Sequence, residues 1–518
     1  MPQQIELKLR PLEAHNDIAV RHAAAVKCSV EQSTITSLRI LKRSIDARSR
    51  TPMIVLLVEV FINESLPPES PNSFAPISPK RNYNVIIVGA GPAGYFAALE
   101  LLLHGITPII FERGKDVRTR RRDLRAIQQF GEVNPHSNYC FGEGGAGTYS
   151  DGKLYTSSSK RGNIHRILEL LVEHGAPSDI LIDAHPHIGS NKLPIVVQNI
   201  RQTILAHGGN IHFDSHVTDF ILDRNEIKGV VVNNADEHFA EAVILATGHS
   251  ARDIFTLLQH KNITIEPKPF ALGVRVEHPQ ALIDELQYRQ RVRDEYLPAS
   301  SYKLVCQVRS RGVFSFCMCP GGLIVPAATA AGEIVVNGMS MSRRDSPFAN
   351  SGVVVAVEPE DLTEYQHYGT LAGLEFQRSV EQRVFRAGNG SQQAPSQRLT
   401  DFVANRISAT LPRTSYIPGI YSANLHELLP KNLASRLQIA FGEFNTKMKG
   451  YLTSEAIAVA TESRTSSPVK IPRHKDSFEH LTIKNLYPCG EGAGYAGGIM
   501  SAALDGQNVA RAIAERLI

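Results

Sequence analysis

The order of apolar and polar residues between 85 and 112 predicts a strand, a helix and a second strand. Val85–Val88 is a short run of β-branched residues, typical of a strand buried on both faces of a parallel sheet. Phe96–Leu103 is apolar on almost every side, which predicts a helix packed against that sheet. Thr107–Phe111 is the second strand, and Glu112 ends it. This β-α-β order is typical of the first unit of a Rossmann-type fold.

Glycines fill the turn between the first strand and the helix. Gly89, Gly91 and Gly94 have the spacing G-x-G-x-x-G. We expect Gly89 to allow the tight turn, Gly91 to let the backbone approach a pyrophosphate, and Gly94 to allow close packing of helix on strand. The helix N-terminus would offer N–H groups to the phosphates, and Glu112 would offer a carboxylate to the ribose hydroxyls. Together these features predict a dinucleotide site.

A second glycine-rich segment follows at 137–156. It repeats the same spacing at Gly142, Gly144 and Gly147, but the residues before it are polar and include Pro135, so they do not form a buried strand. We therefore expect a flat ligand to lie against the backbone of this loop, with a purely structural turn as the alternative. The strand Ala242–Leu245 ends in Ala-Thr-Gly, and Gly248 is another point where backbone can meet a cofactor.

A third glycine-rich turn lies near the end of the chain. Glu491 and the glycines after it connect a predicted strand, Ile483–Cys489, to a predicted helix, Ile499–Ile518. No second strand ending in an acidic residue follows in the sequence, so we expect this turn to be half of a site that the first unit completes. The start of the helix would then direct N–H groups toward anionic charge on the ligand.

The whole pattern predicts an α/β protein with an inserted domain. Four segments at the N-terminus have the order β-α-β-β: Ile5–Leu9, Ile18–Val26, Ile35–Ile45 and Pro52–Ile62. After 261, strand-like segments mix with helical ones such as Glu364–Ala387. We predict a small α+β domain at 1–65, a proline-rich linker at 66–83, a three-layer Rossmann-type dinucleotide-binding domain at 84–260 and 471–518, and an α+β substrate domain inserted at 261–470.

Composition narrows the class of protein. The chain has 518 residues with 42% hydrophobic and 20% charged residues, which is ordinary for a globular protein of several domains. A net charge of +4 gives no argument for nucleic acid or a membrane. The densest basic run, at 118–125, is interpreted as a solvated, salt-bridged helix face, with a phosphate or RNA contact as the alternative. Six cysteines in so long a chain indicate a reducing, cytoplasmic setting. No signal peptide is predicted, and Ile54–Ile62 is too short to cross a bilayer.

Few residues stand out as catalytic candidates. Cys317 and Cys319 are two apart on a predicted strand, so both thiols would point to one face, as a redox pair or as two inert buried thiols. Glu462 and Arg464 lie in a polar segment that is either an anion-binding loop or a solvated turn, and they are candidates to anchor or protonate a substrate. His185 and His187 lack a third ligand nearby, so we predict no metal site.

Several long motifs resemble those of one flavoprotein family. They are Arg43–Arg48 (RSIDAR), FGEGGAGTYSDGKLYT, HPHIG, CMCPGG, NGMSMSRRDS, TESRTSSP and LYPCGEGAGYAGGIMSA. With the first glycine fingerprint, they make the chain similar to bacterial FAD-dependent dehydrogenases, described as NAD(FAD)-utilising dehydrogenases, of the two-dinucleotide-binding-domain superfamily. The match extends from the N-terminal segment to the last helix.

The resemblance implies FAD as cofactor and a set of contacts. It places the AMP half of FAD on the first β-α-β unit, with Arg113 beside the adenosine and Val217 touching the adenine through its backbone. Glu491 stands where the superfamily has an aspartate. The residues implied to contact FAD are Gly89, Gly91, Gly94, Glu112, Arg113, Gly144, Gly145, Ala146, Gly147, Thr148, Val217, Gly248, Glu491, Gly498, Ile499 and Met500.

These observations lead to one principal hypothesis of function. We expect an FAD-dependent oxidoreductase, a dehydrogenase that transfers hydride through flavin N5 to or from a small molecule. Because no second complete β-α-β unit is predicted, NADH or NADPH would bind only transiently as reductant. An FAD-dependent RNA-modifying enzyme and a non-catalytic flavin-binding module are the alternatives. The sequence leaves the substrate and the oligomeric state open.

Overall fold

A computed structural model describes residues 2–49, 51–64, 74–77, 83–155 and 162–518. Most of the predicted proline-rich linker at 66–83, and Thr156 at the end of the second glycine-rich segment, lie outside these residues.

The N-terminal segment forms a three-stranded antiparallel sheet in the order β1-β3-β2, covered by a helix. Its elements are β1 (Gln3–Leu9), α1 (Pro11–Ala14), α2 (Asp17–Cys28), β2 (Ile35–Asp46) and β3 (Met53–Ile62). Ile54, Leu56 and Val58 alternate along β3 and are buried, as a strand with one covered face requires. Asn16 accepts hydrogen bonds from the N–H groups of Ile18 and Ala19 and so caps α2. The β-α-β-β order predicted from periodicity is present.

The dinucleotide-binding part is built on a five-stranded parallel sheet in the order β22-β10-β4-β5-β6. Its first elements are β4 (Asn84–Val88), α3 (Pro92–Leu103), β5 (Thr107–Phe111), α4 (Val117–Phe130), α5 (Ile164–Glu173), α6 (Leu193–Ala206), β6 (Asn210–His212), β7 (Val217–Asp223), β8 (Glu226–Val232), β9 (Asp236–Phe239), β10 (Ala242–Leu245) and α7 (Arg252–His260). Strands β7, β8 and β9 form a separate antiparallel sheet.

The inserted part contains a seven-stranded sheet in the order β13-β14-β17-β12-β20-β18-β19. Its elements are β11 (Glu266–Pro267), β12 (Phe270–Pro279), α8 (Gln280–Tyr288), β13 (Val305–Val308), β14 (Arg311–Cys319), β15 (Gly322–Pro326), β16 (Val336–Ser340), β17 (Phe348–Val357), α9 (Ala372–Arg386), β18 (Ala394–Arg398), α10 (Leu399–Val403), β19 (Ile420–Ser422), α11 (Leu425–Leu428), α12 (Lys431–Lys447), β20 (Ile457–Glu462) and β21 (Val469–Lys470). The sheet and helices such as α9 and α12 share one apolar core.

The chain then returns to the parallel sheet through β22 (Leu486–Pro488) and ends in α13 (Ile499–Leu517). Helix α13 packs directly on α3, because a β-carbon on Gly506 would lie only 2.1 Å from the carbonyl oxygen of Ala93. The fold is therefore a Rossmann-type α/β domain, completed by the last strand and helix, with an inserted α+β domain. This architecture agrees with the sequence prediction.

One predicted helix is wrong in its extent. The segment Glu364–Ala387 is divided between a 3-10 helix, Pro359–Leu371, and α9. Gly369 between them has φ 58°, outside the right-handed helical region, so the chain changes direction there.

Within the described residues, no helix is long and apolar enough to cross a membrane.

Candidate functional site

The carboxyl ends of three parallel strands lie side by side and open into one cavity. The strand register places Val88 of β4 beside Leu245 of β10, and Leu245 beside Pro488 of β22. The turns that follow these strands therefore start at the same edge of the sheet, where ligands bind in open α/β folds. The turn after β4 and the turn after β22, which are far apart in sequence, both line the cavity.

The second glycine-rich loop closes the same cavity. A β-carbon on Gly145 would lie 3.3 Å from Cα of Gly91, and one on Gly147 would lie 3.0 Å from Cγ1 of Ile499. The predicted cofactor residues that line the cavity are Gly89, Gly91, Glu112, Arg113, Gly145, Ala146, Gly147, Val217, Gly248, Glu491, Gly498 and Ile499. The three glycine turns thus surround one shared space, as the sequence interpretation required.

Four predicted cofactor residues do not line this cavity. Gly94 serves packing, because a β-carbon there would lie 2.0 Å from the carbonyl oxygen of Gly89. Gly144 leaves room for the Thr148 hydroxyl, which donates a hydrogen bond to the carbonyl of Glu143. Met500 is only 1% exposed and packs in the core around α13. These residues support the walls of the cavity, and the side chains of Thr148 and Met500 are buried in the protein.

Glu112 is buried and accepts three backbone hydrogen bonds. Its carboxylate receives the N–H groups of Ala90, Gly114 and Gly142, each at 2.9 Å. A carboxylate offers about four lone-pair directions. One direction therefore accepts no hydrogen bond from the described residues, while the bonds from Ala90 and Gly142 hold the first and second glycine turns together.

The site residues fit a dinucleotide with a flat ring system. Three polar atoms of cavity-lining residues, Arg113 Nε, Thr247 Oγ1 and Ser250 Oγ, are buried and have no hydrogen-bond partner among the residues that the structure describes. Buried polar atoms without partners indicate a missing ligand or water. A β-carbon on Gly248 or Gly498 would meet no atom within 4 Å, so the backbone there faces open space. The residues present can therefore hold FAD.

Arg120 corrects the interpretation of the arginine run. Arg118, Arg121, Arg122 and Arg125 are exposed on α4, as a solvated face requires, but Arg120 is completely buried. Its guanidinium donates to the carbonyls of Asn138, Glu143 and Gly145 at 2.7, 2.8 and 3.0 Å. Because these carbonyls belong to the second glycine-rich segment, Arg120 fixes the loop that lines the cavity.

Lys153 and Cys317 line the end of the cavity that borders the inserted domain. Lys153 Nζ lies 4.0 Å from Cys317 Sγ and 3.9 Å from an Asp151 carboxylate oxygen. It also donates to the carbonyl of Met318. Burial alone would lower the pKa of Lys153, but the neighbouring Cys317 and Asp151 raise it, so Lys153 is a cation at neutral pH.

The thiols do not share one face of a regular strand, contrary to the prediction. A β-bulge lies between Phe316 and Cys319, and Cys317 has φ 44°, in the left-handed region. Consequently Phe316 and Cys317 both line the cavity. Cys319 is completely buried behind them.

Glu462 and Arg464 belong to two separate buried networks. Glu462 pairs with Arg275 at 2.7 Å and does not line the cavity. Arg464 reaches the cavity wall, but its guanidinium is engaged by Glu333 at 3.1 Å and by Glu381 at 3.0 Å. These ion pairs occupy both side chains, so the structure does not bring them together as a substrate anchor.

Lys153 and Arg275 are the residues that sequence reasoning missed. The sequence contained a signal for each residue. Arg275 is a charged residue within an apolar strand, and a charge buried in a sheet requires a partner. Lys153 is a cation directly after the second glycine-rich loop. No group of three possible metal ligands occurs among the described residues.

Comparisons with known proteins agree with this site. Residues 269–465 match the family model for the C-terminal domain of FAD-dependent proteins, and residues 82–126 match the model for an FAD binding domain. Residues 1–61 match a domain of unknown function. Over 509 residues the chain is 40% identical to an uncharacterized protein of Clostridium beijerinckii. The matched region covers 95% of this chain and 94% of that protein.

Solved structures give weaker similarities. The structure of CtdE in complex with FAD is 12% identical, covers 84% of this chain and 89% of its own, and has a TM-score of 0.32. Glycine oxidase from Bacillus cereus is 13% identical, covers 84% of this chain and 96% of its own, and has a TM-score of 0.30. Both TM-scores are too low to support an argument about the reaction.

Proposed function

This chain belongs to a family of FAD-dependent flavoproteins, and on that premise we propose that it is a dehydrogenase that moves hydride between flavin N5 and a small-molecule substrate. One observation carries the proposal. The cavity that begins at the glycine turn of β4 continues to Lys153, which follows the second glycine-rich loop, and to Cys317 of the inserted domain. A cofactor in the first part would therefore meet a substrate in the second part.

The residues around the cavity would bind and orient the cofactor. Gly91 and the start of α3 would receive the pyrophosphate, while Glu112 and Arg113 would contact the adenosine half. The loop Gly145–Gly147 and the start of α13 would enclose the ring system. When bound, FAD supplies the atom that accepts or donates hydride. The first turn of α13 has no side-chain cap, so its N–H groups can stabilise negative charge on the reduced ring.

Lys153 and the inserted domain complete the proposed reaction chamber. Its ammonium can attract an anionic group of the substrate, or hold a proton at Nζ for transfer. Phe316 and Asn337 line the cavity beside it, and such walls exclude water from the reacting atoms. We assign Lys153 this role in place of Glu462 and Arg464, because the Lys153 side chain lines the cavity and is 36% exposed, whereas those of Glu462 and Arg464 are 2% and 4% exposed.

The proposal includes a setting and partners. We propose a cytoplasmic location, which is supported by the six cysteines, all of them free thiols in the described chain. We propose a small-molecule substrate and a transient NADH or NADPH, and no nucleic acid, since Arg120 of the basic run serves the glycine loop.

Spectroscopy of the purified protein tests this function. We expect a yellow protein with a bound-flavin spectrum, which is bleached anaerobically by NADH, NADPH or one member of a metabolite panel and is restored by an electron acceptor. Colourless protein that remains colourless after addition of FAD would exclude the proposal. Bound flavin that no reductant in the panel bleaches would favour a non-catalytic flavin-binding module.

A further inference from the structure

The two thiols of the inserted domain contact each other at the end of the cofactor cavity. Cys317 lines the cavity, and Cys319 is completely buried behind it. The Cys319 thiol donates a hydrogen bond to the carbonyl oxygen of Cys317 at 3.3 Å, and the Cys319 side chain lowers the pKa of Cys317. Both are free thiols. One sulfur is thus accessible from the cavity, and the other is in reach of the first.

Two cations lie against this pair. Lys153 Nζ is 4.0 Å from Cys317 Sγ, and Arg275 Nη2 is 3.8 Å from Cys319 Sγ. The hydrogen bond from Cys319 and the charges of Lys153 and Arg275 hold the pKa of Cys317 well below that of an ordinary thiol, although burial acts against them. The same hydrogen bond and burial raise the pKa of Cys319. Cys317 is therefore the thiolate of the pair.

The backbone around the pair departs from a regular strand. Residues two apart on a regular strand are roughly 6.8 Å apart, the upper limit for a disulfide. The bulge and the left-handed φ of 44° at Cys317 interrupt that extended geometry. The conformation is fixed by Arg275, which donates to the carbonyl of Cys317 at 2.7 Å, and by Lys153, which donates to the carbonyl of Met318. A strained conformation that its neighbours fix so closely is typical of a functional site.

Another cysteine of the same sheet gives the contrast. Cys306 on β13 is buried and does not line the cavity, and burial raises the pKa of its thiol. It is an ordinary core residue.

We propose that Cys317 and Cys319 form a redox-active dithiol that exchanges two electrons with FAD in the cavity. The inference rests on the proposed function for its cofactor. Oxidation of the Cys317 thiolate and the Cys319 thiol forms one Sγ–Sγ bond and releases two electrons and one proton, and the electrons reduce the flavin. The reverse reaction cleaves the Sγ–Sγ bond, returns both thiols to the reduced state and oxidises the flavin. Cys317 is the sulfur that attacks or is attacked from the cavity, and Cys319 closes the disulfide.

Counting electrons in the FAD-bound protein tests the pair. After air oxidation, anaerobic titration with dithionite should take up about four electrons per wild-type chain, two for the flavin and two for the disulfide. Cys317→Ser and Cys319→Ser should each take up about two, while the control Cys306→Ser should again take up about four. The flavin spectrum recorded before titration reports cofactor binding independently.

Thiol mapping of the wild-type chain gives a second readout that does not depend on any variant folding. Alkylation in denaturant followed by peptide mass spectrometry should leave Cys317 and Cys319 unlabelled after oxidation and label both after reduction by dithiothreitol, whereas Cys306 is labelled in both states. Flavin-bound protein that takes up about two electrons and has both thiols labelled after oxidation overturns this inference and leaves the proposed function intact. Protein that binds no flavin overturns both.

Discussion

The three glycines of the first turn serve different physical purposes, although they belong to one motif. Gly89 has φ 107°, and a β-carbon there would lie 2.5 Å from the carbonyl oxygen of Ala246. A β-carbon on Gly94 would likewise clash with backbone, at 2.0 Å from the carbonyl oxygen of Gly89. Gly91 has only Cα of Gly145 within 4 Å, at 3.9 Å, and its φ of −77° is open to any residue. The fold therefore requires Gly89 and Gly94, whereas only a ligand requires Gly91.

Gly91→Ala should separate cofactor binding from stability. The added methyl group makes an ordinary contact with Gly145 in the protein itself, so the free energy of unfolding without FAD should change by less than about 1 kcal/mol. The same methyl group occupies the space where the pyrophosphate must approach, so the Kd for FAD should rise at least about tenfold. Equilibrium unfolding of the flavin-free protein and a flavin fluorescence titration measure the two quantities. An unchanged Kd would contradict the assigned pyrophosphate position.

Gly94→Ala should have the opposite profile. Its β-carbon would lie 2.0 Å from the carbonyl oxygen of Gly89, so α3 must move away from β4. We expect the flavin-free protein to lose more than about 2 kcal/mol of unfolding free energy. Gly442→Ala is the matched control, because Gly442 also lies inside a helix and a β-carbon there would meet no atom within 4 Å. That variant should be unchanged or up to about 1 kcal/mol more stable in urea unfolding.

At the scale of elements, a buried network of four charges joins the dinucleotide-binding part to the inserted domain. Arg252 at the start of α7 pairs with Glu333 at 2.8 Å and with Glu381 of α9 at 2.7 Å. Arg464, which follows β20, pairs with the same two carboxylates. The two guanidiniums lower the pKa of Glu381, although burial opposes them. The network thus fixes α7 and α9 on either side of the cavity wall that Arg464 lines.

Glu381→Gln should destabilise the protein strongly. The substitution keeps the size of the side chain but leaves two buried arginines with one carboxylate. Removing one partner from a buried ion pair costs about 3–5 kcal/mol. Glu375→Gln on the same helix is the control, since its ion pair with Arg378 is partly exposed and should contribute less than about 1 kcal/mol. Urea unfolding of both variants measures the loss of unfolding free energy. Equal losses would show that the buried network does not stabilise the contact between the dinucleotide-binding part and the inserted domain.

At the scale of the whole molecule, one buried histidine ties stability to pH. His278 on β12 is completely buried, and its Nε2–H donates to the carbonyl of Tyr451 at 2.8 Å. Its Nδ1 has no hydrogen-bond partner among the described residues. Burial lowers the pKa of His278 from 6.5 to about 4. The folded protein therefore keeps this ring neutral over a range in which the unfolded chain protonates it.

Stability should consequently fall on acidification between pH 6.5 and about 4. In this window the unfolded state binds the extra proton, so the free energy of unfolding rises with pH and falls as pH drops. The gap between the two pKa values corresponds to about 3 kcal/mol. Urea unfolding at several pH values should show this decrease in the free energy of unfolding in the wild type and a smaller decrease in His278→Gln, which keeps a donor but does not titrate. Equal decreases in both proteins would assign the loss of stability to other groups.

Much of the architecture was predictable because periodicity reports burial directly. The β-α-β unit, the N-terminal β-α-β-β order and the last strand and helix were correct, since each is a local pattern of apolar residues. The helix Glu364–Ala387 was not, because Gly369 interrupts it through a backbone angle that the hydrophobic pattern does not record. The alternation around Cys317 failed for a related reason, since a bulge adds a residue to one strand without changing its composition.

The sequence by itself determined that a dinucleotide-binding turn follows β4 and that the chain contains two further glycine-rich turns. It did so because glycine spacing, strand and helix are encoded within a few consecutive residues. Only the tertiary structure decided that the three turns surround one cavity, that Arg120 fixes its loop, and that Lys153 faces Cys317 at its end. These contacts join residues far apart in the chain, and their distances depend on strand register and on the path of the inserted domain, which no local pattern specifies.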